Sequence, residues 1–254
     1  MTAEASPGQG NAITEDAILG GRLRLRQPAD GYRVGIDPIL LAAAAPALGH
    51  GRVLELGAGV GAASLCLAWR EREAQVIGVE LQPALAALAK ENAGINGLSG
   101  RVSFHAGDLL RPPAEVAAGG FDLVLANPPF HAAGSATPPA EPSRARGHVE
   151  GEAELATWIA RALAFAKRGG QLLLIHRPER LGELLGLLAG RAGGIVVYPL
   201  WTAAGKPARR ILLLARKGSR APLTLAAGTV LHGADGRYSA EAEAVLRNGE
   251  AIAL

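Results

Sequence analysis

The chain of 254 residues has a single cysteine, Cys66, which excludes a disulfide framework and any cysteine-based zinc site. Aromatic residues are scarce at 4%. No apolar run reaches the roughly 18 residues that a membrane span needs. Residues 1–12 are small and polar, without the apolar stretch of a secretory signal, and are expected to form a flexible N-terminus. A dominant charge sign is also missing: 26 Lys+Arg face 23 Asp+Glu, a net charge of +3. That balance permits a nucleic-acid partner without requiring one. What is present is a 49% hydrophobic composition, enough to bury a substantial core and to exclude a wholly disordered chain. A soluble, cytoplasmic globular protein is expected.

From residue 50 onward, strands and helices alternate. The strands are expected at 52–56, 74–80, 102–105, 121–126 and 171–175, with two more at 195–198 and 211–214. Helices are expected at 62–70, from Pro83 to about Asn92, at 152–167 and at 180–189. This rhythm implies a mostly parallel sheet covered on both faces, with the last two strands pairing antiparallel at an edge. Two segments depart from it. Residues 13–50 form an N-terminal unit ending in a helix over 38–47, and residues 131–149 form a loop rich in Pro, Gly, Ser and Ala. So long a loop is expected to be a functional lid or a disordered connector.

Between the first core strand and its helix lies Glu55-Leu56-Gly57-Ala58-Gly59-Val60-Gly61. Glycines there let the backbone pass close to a ligand and leave amides free at a helix N-terminus. Glu80 ends the next strand, where a carboxylate can accept hydrogen bonds from both hydroxyls of a ribose. Gly57, Gly59 and Ala62, with Glu80 about 20 residues on, also satisfy the dinucleotide fingerprint, so a nicotinamide enzyme stays open. Glu55 opposes it. A buried carboxylate suits a cationic ligand with an amino group, such as S-adenosylmethionine, better than a pyrophosphate. Asp108, after the third strand, can accept from an exocyclic amine, although an aspartate there also serves as a turn or cap.

Asn127-Pro128-Pro129-Phe130 directly follows the fourth strand, at the same rim. Two prolines fix φ and stiffen the chain, so that the Asn127 side-chain oxygen and the Pro128 carbonyl can both aim into the cleft. Two acceptors holding a planar amine would concentrate its lone pair toward a methyl donor, and no strong base is then needed. Phe130 would stack on a target base.

These residues together resemble the class I S-adenosylmethionine-dependent methyltransferases, specifically the amino-methylating group with an N/D-P-P-Y/F/W motif. The resemblance implies an α/β Rossmann-like fold: a mostly parallel seven-stranded sheet with helices on both faces, an antiparallel edge strand and a short N-terminal extension. It implies that Gly57, Gly59 and Gly61 form the cofactor turn, with Glu55 near the methionine amine, Glu80 on the ribose and Asp108 on the adenine. Leu81 and Leu109, the residues after those two carboxylates, and Asn127 complete that side of the expected cofactor site. Residues 14–21 and 27–41 are similar to the N-terminal signature of the valine-tRNA adenine-N6-methyltransferase family, which methylates the adenosine beside the anticodon. Through it Tyr32, Arg33 and Asp37 are implied to touch the ligand. Phe130 stands where that family often has tyrosine. The implied organisation is an extension over 13–50 packed on a methyltransferase domain over 51–217, with a C-terminal tail over 218–254.

The expected activity is therefore methyl transfer to adenine N6 in tRNA, with S-adenosylmethionine as cofactor and neither a metal nor a membrane involved. Guanine N2 in ribosomal RNA and glutamine in a protein present similar planar amines and remain alternatives. So does a noncatalytic RNA-binding module. For the RNA, Arg22, Arg24 and Arg26 alternate with leucines and would share one strand face, either as a phosphate contact or as a solvated surface. Arg144 and Arg146 in the long loop are further candidates. The six histidines show no metal-like spacing.

Overall fold

The computed structural model describes residues 12–30, 33–116, 118–128 and 152–254. The chain opens with an antiparallel hairpin, β1 (Ile13–Ile18) and β2 (Leu23–Pro28), followed by helix α1 (Asp37–Ala43). In β2 Leu23, Leu25 and Gln27 point inward while the arginines point out, the period of two of a half-buried strand. Helix α1 stops short of the expected 38–47, because Pro46 disfavours helical geometry in the residue before it.

The core follows as β3 (Arg52–Leu56), α2 (Ala62–Arg70), β4 (Gln75–Glu80), α3 (Pro83–Ile95), β5 (Val102–Ala106) and β6 (Phe121–Ala126). Next come α4 (Glu152–Phe165), β7 (Ala166–His176), α5 (Leu181–Leu188), β8 (Ala192–Ala203) and β9 (Ala208–Lys217). The tail supplies β10 (Thr224–Leu225), β11 (Thr229–His232) and α6 (Ala240–Asn248). Helix α4 ends two residues before expected, since Ala166 already pairs with Phe121 and Gly170 lies against the Phe121 carbonyl.

The sheet runs β10-β8-β9-β7-β6-β3-β4-β5, with β11 also on β8. Strands β3 to β7 are mutually parallel, and both neighbours of β9 are antiparallel to it. Two details correct the expectation. Nine strands, rather than seven, join the sheet, because the tail adds β10 and β11. The antiparallel strand is also not at the edge: β9 lies between β7 and β8, and β8 is bordered by the tail strands. Strand order reverses between β3 and β6, and their carboxyl ends form the crevice where such sheets bind ligands.

One face of the sheet packs on α1, α2, α3 and α6 through residues such as Leu40, Leu65, Phe104 and Leu246. The other packs on α4 and α5 through Leu56, Val124, Trp158 and Leu184. Helix α6 is well terminated: the Ser239 hydroxyl accepts from Ala242 N–H at 3.1 Å, and Gly249 closes it with φ 71°. It closes the molecule onto its beginning. The Ile252 amide donates to the Ala43 carbonyl at 2.9 Å. No helix among the described residues is long and apolar enough to cross a membrane. The expected flexible terminus, apart from Ala12, and the long loop over 131–149 lie outside the described residues.

Candidate active site

At the end of β3, Gly57, Gly59 and Gly61 take φ values of 67°, 55° and 88°, in the left-handed region that favours glycine. Their surroundings differ. A Cβ on Gly57 would lie 2.5 Å from Trp158, and one on Gly61 would lie 2.5 Å from Phe104. A Cβ on Gly59 would meet nothing within 4 Å. Packing therefore requires the outer two glycines, and Gly59 alone faces open space where a ligand can reach the backbone.

Two carboxylates support this turn. Glu55 is buried at 4% exposure, and its Oε2 accepts from both the amide and the hydroxyl of Ser64 at the start of α2. Burial pushes the Glu55 carboxyl up to about 7; the Ser64 hydrogen bonds partly offset this, and the nearby Glu80 charge adds to it. Glu80, at the end of β4, accepts from Gly59 N–H at 2.8 Å and from Gln82 N–H at 2.9 Å. It thus holds the open glycine in place, and its remaining lone pairs can take further donors. The amide of Gly107 donates to the Glu80 carbonyl at 2.9 Å and brings the end of β5 alongside. Asp108 follows there, exposed, with one oxygen accepting from Leu110 N–H at 2.9 Å. Leu81 is 63% exposed next to Glu80, an apolar surface on the same rim, and Leu109 is half-buried beyond Asp108.

Asn127 lies on the other side of the turn. Leu56 of β3 pairs with Ala126 of β6, so Gly57 and Asn127 are the next residues along two neighbouring strands. Pro128 behind it is buried. The Asn127 side-chain oxygen is buried and has no hydrogen-bond partner among the described residues. An orphaned acceptor of this kind costs about 1–3 kcal/mol unless a donor arrives. Glu55, Gly59, Glu80, Asp108 and Asn127 thus gather at one rim, while Pro129, Phe130, Tyr32, Arg144 and Arg146 lie outside the described residues.

The N-terminal candidates have partners inside the protein. Arg33 donates to Thr14 at 3.0 Å and Asp16 at 2.7 Å, which ties the start of this segment to β1. Asp37 pairs with Arg210 of β9 at 2.8 Å. Arg22, Arg24 and Arg26, expected either at phosphate or on a solvated face, have partners within the protein. Arg22 donates to the Arg247 carbonyl and lies 5.8 Å over the Trp69 ring, while Arg24 and Arg26 pair with Glu15, and Arg26 also with Glu91. Arg22 and Arg24 reach the last turns of α2 and α3, at the opposite end of the sheet from Asn127. Arg24 and Arg26 thus lie on the outer face of β2, where they share the carboxylate of Glu15.

Two residues at the rim escaped sequence reasoning. His176 ends β7 fully buried, and its Nδ1 accepts from Arg177 N–H at 2.8 Å, which leaves the ring proton on Nε2. Burial, reinforced by the Arg180 charge, pushes its imidazole down to about 4. Arg210 was equally inconspicuous in a run of paired arginines. The usable signal for both was position, at the rim end of a strand. Among the described residues, no group of three His, Cys, Asp or Glu is arranged to hold a metal ion.

Known proteins share this arrangement. The methyltransferase small domain model matches residues 36–180. The tRNA1(Val) (adenine(37)-N6)-methyltransferase of Porphyromonas gingivalis is 32% identical over 231 residues, covering 87% of this chain and 89% of its own. The enzyme of the same name from Aeromonas hydrophila is 32% identical over 209 residues, covering 82% and 85%. Among solved structures, a predicted O-methyltransferase from Agrobacterium tumefaciens superposes with a TM-score of 0.72 at 26% identity, over 86% of this chain and 99% of that one. Such agreement along nearly the whole length, on a sheet with this strand order, means that the chain belongs to the methyltransferase small domain family, among the tRNA1(Val) (adenine(37)-N6)-methyltransferases.

Proposed function

We infer that the protein methylates the exocyclic N6 amine of an adenine in tRNA, with S-adenosylmethionine as methyl donor. The observation that carries this reading is the buried, unpartnered oxygen of Asn127, one strand away from the open glycine turn. A planar amine entering there would give that oxygen the donor it lacks. S-adenosylmethionine supplies a methyl carbon made electrophilic by its sulfonium. Asn127, with the Pro128 carbonyl, holds the hydrogens of N6 and directs its lone pair at that carbon. The C–S bond breaks as the N–C bond forms, sulfur keeps the electron pair, and the surplus N6 proton passes to solvent.

Glu55 faces the ammonium of the donor, and that positive charge favours its ionised form against the cost of burial. Glu80 takes the ribose hydroxyls while fixing Gly59, and Asp108 takes the adenine amine beside Leu81 and Leu109. By the resemblance, Tyr32, Arg33 and Asp37 are assigned to the donor, and Pro129 and Phe130 to the catalytic step with Asn127 and Pro128. Membership of a methyltransferase family removes the nicotinamide alternative and the noncatalytic module. Location in the cytoplasm, where tRNA is modified, follows from the substrate.

Purified protein incubated with labelled S-adenosylmethionine and separate tRNA, ribosomal RNA and protein fractions tests the reading. Label is expected in tRNA as N6-methyladenosine. Label confined to ribosomal guanine or to glutamine would replace the substrate and keep the chemistry, and no calorimetric binding of S-adenosylmethionine would reject both.

A further inference from the structure

We propose that the β8–β9 hairpin, through Lys206 and Arg209, is the grip that holds the phosphate backbone of the tRNA beside the active site. The proposal rests on the tRNA reading above and adds where the RNA lies.

Charge is unevenly spread along the chain. From Leu155 to His232 there are twelve Lys or Arg and only two acidic residues, Glu179 and Glu183. The fold sends part of this excess to the rim that carries Asn127. Strand β9 runs antiparallel to β7, with Ile211 opposite His176, so the residues before Ile211 project beyond the carboxyl end of the parallel strands. Leu200 pairs with Arg210 and Trp201 with Ala208, which places Ala203 to Pro207 at the tip of the hairpin. Two strand spacings separate β9 from β6, about 10 Å. A base held at Asn127 would thus have its neighbouring phosphates within reach of this tip.

The backbone of the hairpin is well fixed. Lys206 N–H donates to the Ala203 carbonyl at 3.2 Å across the turn, and Gly205 takes the positive φ of 73° that closes it. At its base, the Trp201 ring nitrogen donates to the Ala227 carbonyl at 3.0 Å, and Val230 of β11 pairs alongside. Lys206 and Arg209 stand exposed on this support, and neither side chain has a hydrogen bond or ion pair among the described residues. Arg210 differs, because Asp37 holds it. Arg22, Arg24 and Arg26 differ too, each engaged within the protein. Exposed cations on a stiff support near a pocket for a planar base match a polyanion that presents a flipped or unstacked base.

The test compares wild type with the double variant Lys206→Ala/Arg209→Ala. A control removes the same charge from the opposite end of the sheet, Arg168→Ala/Arg220→Ala. Methylation kinetics with unmodified tRNA and tRNA binding by fluorescence anisotropy are read across a salt series. The hairpin variant should raise the KM for tRNA at least tenfold, with kcat at saturating tRNA and S-adenosylmethionine affinity unchanged. Its binding constant should lose about 1.4 to 1.8 from the slope of log K against log salt, the share of two phosphates. The control should change KM less than twofold. Equal loss in both variants, or a hairpin variant indistinguishable from wild type, overturns the proposal. Wild type that binds tRNA through these two residues yet methylates only another acceptor would overturn the adenine reading and keep the grip. Wild type that does not bind tRNA overturns both.

Discussion

The carboxyl end of the sheet has two unlike sides, divided at Asn127. On the β3–β4–β5 side the polar groups are carboxylates: Glu55 and Glu80 are buried and hydrogen-bonded to backbone amides, and Asp108 caps a turn. On the β7–β9–β8 side they are cations, with Lys206 and Arg209 exposed and Arg210 half-buried. The difference follows from what each side must hold. A small cation with ribose and amine donors needs acceptors fixed in a dry pocket, where each hydrogen bond is strong. A long polyanion needs accessible positive charge, whose effect reaches through solvent and responds to salt. On the proposed reading one sheet serves both because the strand order reverses between β3 and β6, and Asn127 stands at that boundary, placed to meet both reactants.

The comparison is tested most severely at that boundary. Asn127→Ala should lower kcat by roughly 100-fold or more, the usual scale for losing one preorganised polar group, while S-adenosylmethionine still binds in calorimetry. Retained turnover would break the proposed acceptor role. Within the acidic side, the glycines can be separated. Gly57→Ala forces a Cβ into Trp158 and should cost about 2–4 kcal/mol of stability in urea denaturation. Gly59→Ala should cost only about 1–2 kcal/mol for its backbone conformation, yet weaken S-adenosylmethionine binding at least tenfold.

Glu55 gives a pH signature of the same side. Folded, it keeps its proton up to about pH 7; unfolded, it releases it near 4.5. Between those limits the folded state binds the extra proton. The group's contribution is therefore fully present below 4.5 and lost as pH rises to 7. Glu55→Gln removes this dependence, so the ligand-free variant should be more stable than its parent at pH 8 by roughly 1–3 kcal/mol, while losing affinity for S-adenosylmethionine. His176 acts in the opposite sense: its contribution is present above 6.5 and lost as pH falls through about 4. With Glu55 replaced, acid denaturation between pH 6.5 and 4 should steepen. The smallest effect is expected at the far end, where Arg24→Ala should leave the KM for tRNA within twofold and shift stability by less than about 1 kcal/mol, the value of an exposed ion pair.

Much of the acidic side was legible in the sequence, because its logic is local. A short apolar strand, a glycine turn and a carboxylate at the next strand end are read within thirty residues, and the Asn-Pro-Pro step follows its own strand directly. What lay beyond reach depended on distant partners. That Gly57 and Gly61 are packing glycines is set by Trp158, about a hundred residues later, and by Phe104. The partners of Arg22, Arg24 and Arg26 are the Arg247 carbonyl, Glu15 and Glu91. Strands β10 and β11 are short and lack a strong alternation, so only their pairing with β8 marks them. The basic side was hidden for a similar reason: β9 must be inserted between β7 and β8 before Lys206 and Arg209 come near Asn127.

The joining of the last residues to the first has a consequence for synthesis. Val245, Leu246 and Ile252 fill the same apolar layer as Leu19, Ile39 and Leu41, so the opening hairpin and α1 lack part of their support until α6 and Ile252 have been made. Before that point the sheet is nearly complete while the β1–β2 hairpin and α1 are still loosely seated. A chain truncated before Ala240 should remain in that condition, prone to proteolysis in the β1–β2 hairpin and α1.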